Sequence, residues 1–549
     1  MKWPSIFTAI ILALGLRINA QELLVYHPIQ TDFQGYIIPW YHPEPGIAYD
    51  HVIGLTWRFW KNMRKDDNGL PYYMNHQVWK PDVNDPRGIG GDQLQMALSA
   101  WRLYYAYTGD ESVKDNMKFM ADYYLSHSLS PPTALWPNLP FPYNTLVYSG
   151  QYDGDMVLGK DYTQPDKAAS FGLELVHLYK LTQGDFFFQT TSARYLDAAI
   201  SIARTLVERV QPGDEHHSPW PFKVHVYSGE VGALYNNYTE KKITGYSNYT
   251  TNYVPALELF LALEALDPQR ATLYRKTFQT VLSWMKTYPL QNQKWGPFFE
   301  DVYDWSDTQI NAVTFAEFLL NHRDYFPHWQ SDCQRIFDWV YAKLGNATWK
   351  RNGVTAINEQ TFYQVPAQSH TARQGAVELK YALMTQDTVR RGQAIRQLHW
   401  STYMVDVDGK SYFPLTDVWL TDGYGDFIRH FLRAMAEYPV LAPPGADHVL
   451  GSTSVIQQAD YTGQWSKLTV PFLPKEKQKS LALAYRTYDA RGREVLRLKQ
   501  KPAEIWLDGR PLQQLPNTMT GEGYFWQPLT SGGICTVHRA QGQTVAIVY

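Results

Sequence analysis

The chain is predicted to be all-α, an (α/α)6 toroid followed by a smaller antiparallel β-sandwich, and three observations lead there. Apolar residues recur at three- and four-residue spacing in twelve stretches, as the stripe of an amphipathic helix requires. The joins between those stretches alternate, one short and the next long, which describes hairpins set in a ring. After a proline-rich break the texture changes to short alternating runs, the two-residue period of half-buried strands.

Residues 1–20 are expected to be a secretory leader. Lys2 gives the positive start, Phe7 to Leu16 the short apolar run, and Ile18-Asn19-Ala20 a cleavage point before Gln21. The run is too short to span a bilayer and no comparable run follows, so an exported, periplasmic protein without a membrane span is expected. Loss of the leader removes Lys2 and Arg17, leaving 48 basic residues against 53 acidic ones and a formal charge of −5. That balance offers no attraction for nucleic acid or for an anionic membrane.

A short extended lead, Leu23 to Trp40, ends in the turn Pro43-Glu44-Pro45-Gly46, and the first helix is predicted over Tyr49–Met63. Asp92–Thr108 turns through Gly109-Asp110 into a second helix ending near His127. Ala168, Phe171, Leu175 and Leu178 mark the next helix, Gly184-Asp185 breaks it, and Ala199, Ile202, Leu206 and Val210 mark its partner. Val254, Leu257 and Leu261 begin another pair, whose second helix starts at Pro268 and closes over Trp284–Tyr288. Thr308–Asn321 pairs with the stripe of Ile336, Val340 and Leu344, and His370–Met384 with Val389–Tyr403. A last helix, Tyr424–Tyr438, joins the first across the chain ends and closes the ring.

The toroid is thus expected over residues 21–440, with Pro439–Gly445 as linker and the sandwich over 447–549. Its strands include Ser480–Tyr485 and Thr544–Tyr549, between turn signals at Asp489-Ala490-Arg491-Gly492 and Asp508-Gly509. The only cysteines, Cys333 and Cys535, build neither a zinc site nor a disulfide framework and are expected as buried free thiols. Aromatic residues make up 15% of the chain, with 19 Trp and 39 Tyr. Core packing takes the greater part of them; the surplus suits sugar binding, in which pyranose C–H faces stack on aromatic rings.

Six long loops should gather at one rim, and they hold the acids, aromatics and turn residues. Asp92, Asp166, Asp307 and Asp422 sit where a helix N-cap is wanted, a role worth about 1 kcal/mol. Carboxylates crowded at one mouth also move each other's pKa apart. A pair with separated values is what glycoside hydrolysis needs, one protonating the leaving oxygen and the other activating water or attacking the anomeric carbon. The leading acid/base candidates are Glu300 and Asp307, in the aromatic loop Lys294–Asp307, and Glu359 in Ile357-Asn358-Glu359-Gln360; Asp166 comes next. His370 and Arg373 lie one turn apart on one helix face. The planar Arg fork suits a uronic acid carboxylate, or equally a bridge to a neighbouring Asp. Arg87, Asp92, Lys167, Trp305, Asp422 and Tyr424 complete the expected substrate-binding rim. No metal or cofactor is expected: Asp153-Gly154-Asp155 is too short for a calcium loop, and Gly88-Ile89-Gly90-Gly91 follows no strand.

Four stretches carry a resemblance: Asp85-Pro86-Arg87-Gly88-Ile89-Gly90-Gly91-Asp92-Gln93, Tyr152-Asp153-Gly154-Asp155-Met156, Trp305-Ser306-Asp307-Thr308-Gln309 and Ser369-His370-Thr371-Ala372-Arg373-Gln374. The chain resembles exported toroid proteins of polysaccharide-degrading Bacteroidetes, most of all the group with the β-glucuronidases of glycoside hydrolase family 154. Broader relatives are the unsaturated glucuronyl hydrolases of families 88 and 105. The likeness runs from about residue 36 to 455. It implies release of a terminal glucuronic acid from a glycan side chain, without a cofactor. The glucuronyl hydrolases use an aspartate acid at an inner-helix rim, a place that Asp166 or Asp307 matches, although their local motif is absent.

Two alternatives stand beside hydrolysis. A uronate lyase would use a Tyr or His base, with Asn252-Tyr253, His370 and Arg373 as its residues. A non-catalytic glycan-binding protein would hold oligosaccharide unchanged.

Overall fold

The computed structural model describes residues 27–74, 91–146, 149–184, 189–299, 302–411, 423–461, 470–516 and 521–549, with the backbone alone for 91–93, 189–191 and 423–425. Twelve long helices follow one another: α1 (Pro45–Lys61), α2 (Gly91–Thr108), α3 (Glu111–His127), α4 (Pro165–Thr182), α5 (Gln189–Arg209), α6 (Val254–Leu266), α7 (Ala271–Thr287), α8 (Gln309–Asn321), α9 (Trp329–Leu344), α10 (Gln368–Thr385), α11 (Thr388–Thr402) and α12 (Gly423–Glu437). The even-numbered helices neighbour one another in order, and α12 returns to α2, so six inner helices close a ring. The odd-numbered helices pack outside their hairpin partners. α1 lies against α12, with the Tyr49 and Phe431 rings 4.9 Å apart.

Every long connection precedes an inner helix. All six inner helices therefore start at one rim and end at the other. Among the described residues the side-chain caps are on the short turns instead, where Asp110 accepts from the Ser112 N–H at 2.9 Å and Asp387 from the Arg390 N–H at 2.9 Å. Two rim aspartates expected as caps are not caps. Asp166 is the second residue of α4, behind Pro165, and Thr308 rather than Asp307 holds the N-cap position of α8. Pro165 suits the first helical position because its missing N–H has no intrahelical partner there.

The same reason moves the start of α1. The predicted turn Pro43–Gly46 is instead the helix entry, with Pro45 in the first turn. Gly46 is required by what it meets: a Cβ there would lie 2.4 Å from the Ala442 carbonyl carbon. This is where the first helix passes the segment that follows the last one. Of the expected extended lead, the described residues 27–40 are irregular, with one bridge among them between Thr31 and Ile37.

Beyond Pro439–Leu441, a single 3-10 turn, the chain builds two antiparallel sheets. A hairpin on the toroid rim supplies β1 (Ala233–Tyr235) and β2 (Ile243–Tyr246); the C-terminal strands are β3 (His448–Ser452), β4 (Ile456–Asp460), β5 (Leu481–Thr487), β6 (Gly492–Leu498), β7 (Glu504–Leu507), β8 (Arg510–Pro511), β9 (Gly523–Pro528), β10 (Gly533–Arg539) and β11 (Thr544–Val548). The five-stranded sheet has the order β4-β5-β11-β7-β8 and the four-stranded sheet β9-β10-β6-β3. Both contribute to one apolar cluster that includes Leu483, Leu496, Ile505, Cys535 and Val545. Cys333 and Cys535 are buried and free.

The β-unit sits on the short-turn end. Tyr461 donates to the Ala106 carbonyl at 2.6 Å, and the Gln457 amide to the Lys180 and Gln183 carbonyls at 2.7 and 2.8 Å. These are carbonyls at the ends of α2 and α4, which have no partner inside their own helices. No helix among the described residues is long and apolar enough to cross a membrane.

The Gly46 contact predicts a position-specific cost. Gly46→Val should lose about 1–3 kcal/mol in urea unfolding, the usual penalty for forcing atoms into a packed space. Gly54→Ala in the same helix meets only the Arg58 side chain, at 3.5 Å, and should be neutral or slightly stabilising.

Candidate active site

A cavity of about 550 Å³ runs down the ring, lined by five of the inner helices. Small-molecule sites usually hold about 300–1,000 Å³. Asn252, Val254, Phe298 and Ile310 line its rim end, and Lys180, Asn321, His322 and Arg433 its short-turn end. Between them the wall is charged. Glu174 takes Arg102 at 3.8 Å and His177 at 3.2 Å on one oxygen. Across the lumen His322 is 2.7 Å from Glu258, and Arg433 is 2.9 Å from Glu317. Burial disfavours the Glu174 charge, yet His177 and Arg102 keep its pKa below the usual carboxylate value. Burial and Arg102 lower the pKa of His177 itself.

Asp166 is not in the cavity lining; it stands one helical turn before the lining Ser170 and is bonded to Asn252, which lines the rim end. Its carboxyl is wholly buried; Oδ2 accepts from Asn252 Nδ2 at 3.0 Å, and Oδ1 has no hydrogen-bond partner among the described residues. Burial raises its pKa above the ordinary value, only partly offset by Lys167 and Asn252. The neighbouring Lys167 places Nζ 3.0 Å from the centre of the Phe298 ring, which lines the cavity. Behind Asp166 the loop is fixed by an ion pair. Lys223 Nζ is 3.0 Å from Asp155, whose other oxygen accepts from Gln164 Nε2 at 3.1 Å, two residues before Asp166. Both charged side chains are 2% exposed or less.

Asp307 is a staple. Oδ1 accepts from the Trp295 and Gly296 N–H groups at 2.9 and 2.8 Å, and Oδ2 from Trp305 Nε1 at 3.2 Å. Three donors tie the carboxylate to its own aromatic loop, a holding role beside the acid/base role expected from the sequence. Trp305 is drawn into the same knot, 5.6 Å from the Tyr249 ring, with Lys294 Nζ 4.8 Å from its own ring. Glu359 is buried beside the start of α8, where its carbonyl meets the Gln309 N–H at 3.5 Å and its carboxylate the Gln360 amide at 3.2 Å.

Arg373 is 1% exposed and bridged, not open to ligand. It donates to Gln309 Oε1 at 2.7 Å and pairs with Asp426, which also pairs with Arg429 and lies 3.2 Å from His430. Of the two roles its sequence position allowed, the geometry shows the bridge to an aspartate, because a buried guanidinium needs a counter-charge. His370 sits beside it, with the Phe299 ring centroid 5.9 Å away and Nε2 without a partner among the described residues. Burial, then Arg373 and His430, lowers its pKa well below the usual value, so the ring is neutral.

Tyr253 fails as a base. Its hydroxyl donates to the Trp220 carbonyl at 2.5 Å, and burial holds its pKa well above the ordinary value. Glu300, Arg87 and Asp422 lie outside the described residues, and of Asp92 and Tyr424 only the backbone is described, in the first turns of α2 and α12. Asp166, Asp307 and Glu359 thus share the long-loop rim. Sequence reasoning missed the charged lumen. Its signal was charge at helical spacing inside otherwise apolar stripes, as with Glu174 and His177 between Phe171 and Leu178 or Arg429 and Arg433 on α12.

No family model matches this chain, and no curated protein sequence does. Solved structures do. A sugar epimerase from a ruminal bacterium is 13% identical, covers 72% of this chain and 98% of its own, and has a TM-score of 0.50. The cellobiose 2-epimerase of Spirochaeta thermophila DSM 6192 is 14% identical, covers 71% of this chain and 96% of its own, also at TM-score 0.50. At such identities the likeness shows the toroid fold and nothing further.

The anchor behind Asp166 is testable. Lys223→Ala leaves the Asp155 carboxylate buried without its counter-charge and should cost about 3–5 kcal/mol in chemical denaturation. Arg275→Ala, which breaks an exposed pair with Glu264, should leave the unfolding midpoint essentially unchanged.

Proposed function

We propose that the chain is a carbohydrate-active enzyme, a glycoside hydrolase that releases a uronic acid, β-glucuronic acid in the first place, from glycan side chains. The observation that carries this reading is the Asp166 carboxyl, buried beside the cavity-lining Asn252, held by it through one oxygen, and with its pKa raised by burial. A carboxyl whose pKa is raised is the better placed to deliver a proton to a glycosidic oxygen as the bond to the anomeric carbon breaks. Glu359, the other buried rim carboxylate among the sequence candidates, is proposed to take the proton of the attacking water. The family 154-like motifs supply the uronic acid. Export through residues 1–20 to the periplasm belongs to the same reading. So does a β-sandwich role for the two C-terminal sheets, supported by their shared apolar cluster.

A second reading is epimerisation at a sugar carbon. It is favoured by His177 and His322, each set against a glutamate in one cavity, and two structural neighbours bear epimerase names. An epimerase would carry solvent deuterium into a C–H bond and release no sugar. A lyase would leave an ultraviolet-absorbing unsaturated uronate, and the hydrogen-bonded Tyr253 speaks against it. A binding protein would return the oligosaccharide intact.

Asp166→Asn keeps the Asn252 hydrogen bond but not the acidic proton. It should fold and lose about 10²–10⁴ in glucuronate release from glucuronate-capped oligosaccharides. Release at the wild-type rate would remove Asp166 from the mechanism.

The raised pKa has a signed consequence for stability. Below the ordinary carboxylate value of about 3.9, Asp166 is protonated in both folded and unfolded chains. Between that value and its raised folded pKa, the unfolded chain binds fewer protons, so stability falls as pH rises. Asp166→Asn should remove that loss and melt higher than the wild type at neutral pH. A melting curve series over pH with the same slope in both proteins would contradict it.

A further inference from the structure

The rim carries aromatic side chains that the core does not use. Tyr238, in the turn between β1 and β2, is 45% exposed, and Phe362 on the next loop is 43% exposed. Tyr303 lies between them, its ring 4.4 Å from Tyr238 and 5.1 Å from Phe362, at interplanar angles of 66° and 83°. The three rings therefore meet edge to face in a row. The row is built in. The Tyr235 N–H donates to the Tyr303 carbonyl at 2.7 Å, Thr244 to Asp304 at 3.3 Å, and the Phe362 N–H to Ser306 Oγ at 3.2 Å.

Its strips are also close in sequence to rim residues of the site. Tyr303 follows the cavity-lining Phe298 by five residues, and Phe362 follows Glu359 by three. Asp307 and Thr361 join the two strips through paired hydrogen bonds of 2.9 Å. Polar groups lie among the rings, with Asn236, Thr244 and Asp304 on the hairpin and the strip it covers. A flat apolar protein partner would strip water from those groups and leave them only the bonds they make within the chain, which is costly. A pyranose chain offers the matching alternation, apolar C–H faces for the rings and hydroxyls for the amides and carboxylate.

We propose that Tyr238, Tyr303 and Phe362 form an outer subsite that binds the glycan chain beyond the bond to be cleaved. The substrate is then an oligosaccharide of several units, not a small glycoside. This deepens the proposed function and rests on the cavity being a sugar-cleaving site.

The test compares KM for a glucuronate-capped disaccharide and a glucuronate-capped hexasaccharide. The wild type should favour the hexasaccharide by about tenfold, the equivalent of one good aromatic anchor. In Tyr238→Ala/Phe362→Ala that preference should fall to about twofold or less, while Tyr238→Phe keeps it. A double variant with the full preference, or a wild type with none, would overturn the subsite and leave the cleavage intact. If the wild type cleaves neither probe, the function reading falls, and calorimetric binding of the hexasaccharide decides the subsite alone. Binding weakened about tenfold in the double variant supports it; equal binding, or none by the wild type, overturns it.

Discussion

The parallel alignment of six inner helices is the constraint from which the rest follows. Each helix end carries roughly half a charge, positive at the start and negative at the finish. A ring of six aligned helices sets those partial charges side by side at both ends. The chain offsets part of them at the far end with a cation in a last turn, Lys180 on α4. It also hands orphan carbonyls of α2 and α4 to donors from the β-unit. At the near end stand Asp166 and the acid-bearing loops. A helix start favours an ionised carboxylate by only about 0.3–1 kcal/mol at exposed sites. Asp166 still has a raised pKa, so desolvation outweighs the dipole there.

The twelve helices were legible because burial on one face writes a period into the sequence, and that period survives any detail of packing. Boundaries were less so where tertiary contacts decide them. Pro45-Gly46 reads as a turn by composition, yet the helix starts there. The proline costs nothing in a first turn, and the Ala442 backbone demands the glycine. The capping aspartates tell the same story. Asp110 and Asp387 cap at short turns where little else competes, while the rim aspartates are claimed by loop contacts that no local pattern announces.

The site was legible as a place and not as a set of roles. Asp166 and Asp307 look alike as letters, each an acid in a loop entering an inner helix. What separates them is the number of donors aimed at the carboxylate. Asp307 receives three, two of them backbone N–H groups, and Asp166 receives one from a side chain. Donors aimed at a carboxylate favour its charged form and burial disfavours it, and at Asp166 burial is the larger effect. Arg373 shows the converse. Its fork suits a substrate carboxylate, but Asp426, remote in sequence, reaches it first.

The uronic acid part of the reading gains its physical support from the lumen, not from Arg373. Among the described residues that line the cavity, four cations, Arg102, Lys180, Arg429 and Arg433, face three acids, Glu174, Glu258 and Glu317. Behind the wall Arg373 and Asp426 cancel. Burial, then Arg433, pushes Arg429 down to about 9, although Asp426 pairs with it and Glu317 and Glu174 oppose the shift. Under the proposed function, a sugar carboxylate beside Arg429 would favour its charged form and recover part of that desolvation cost.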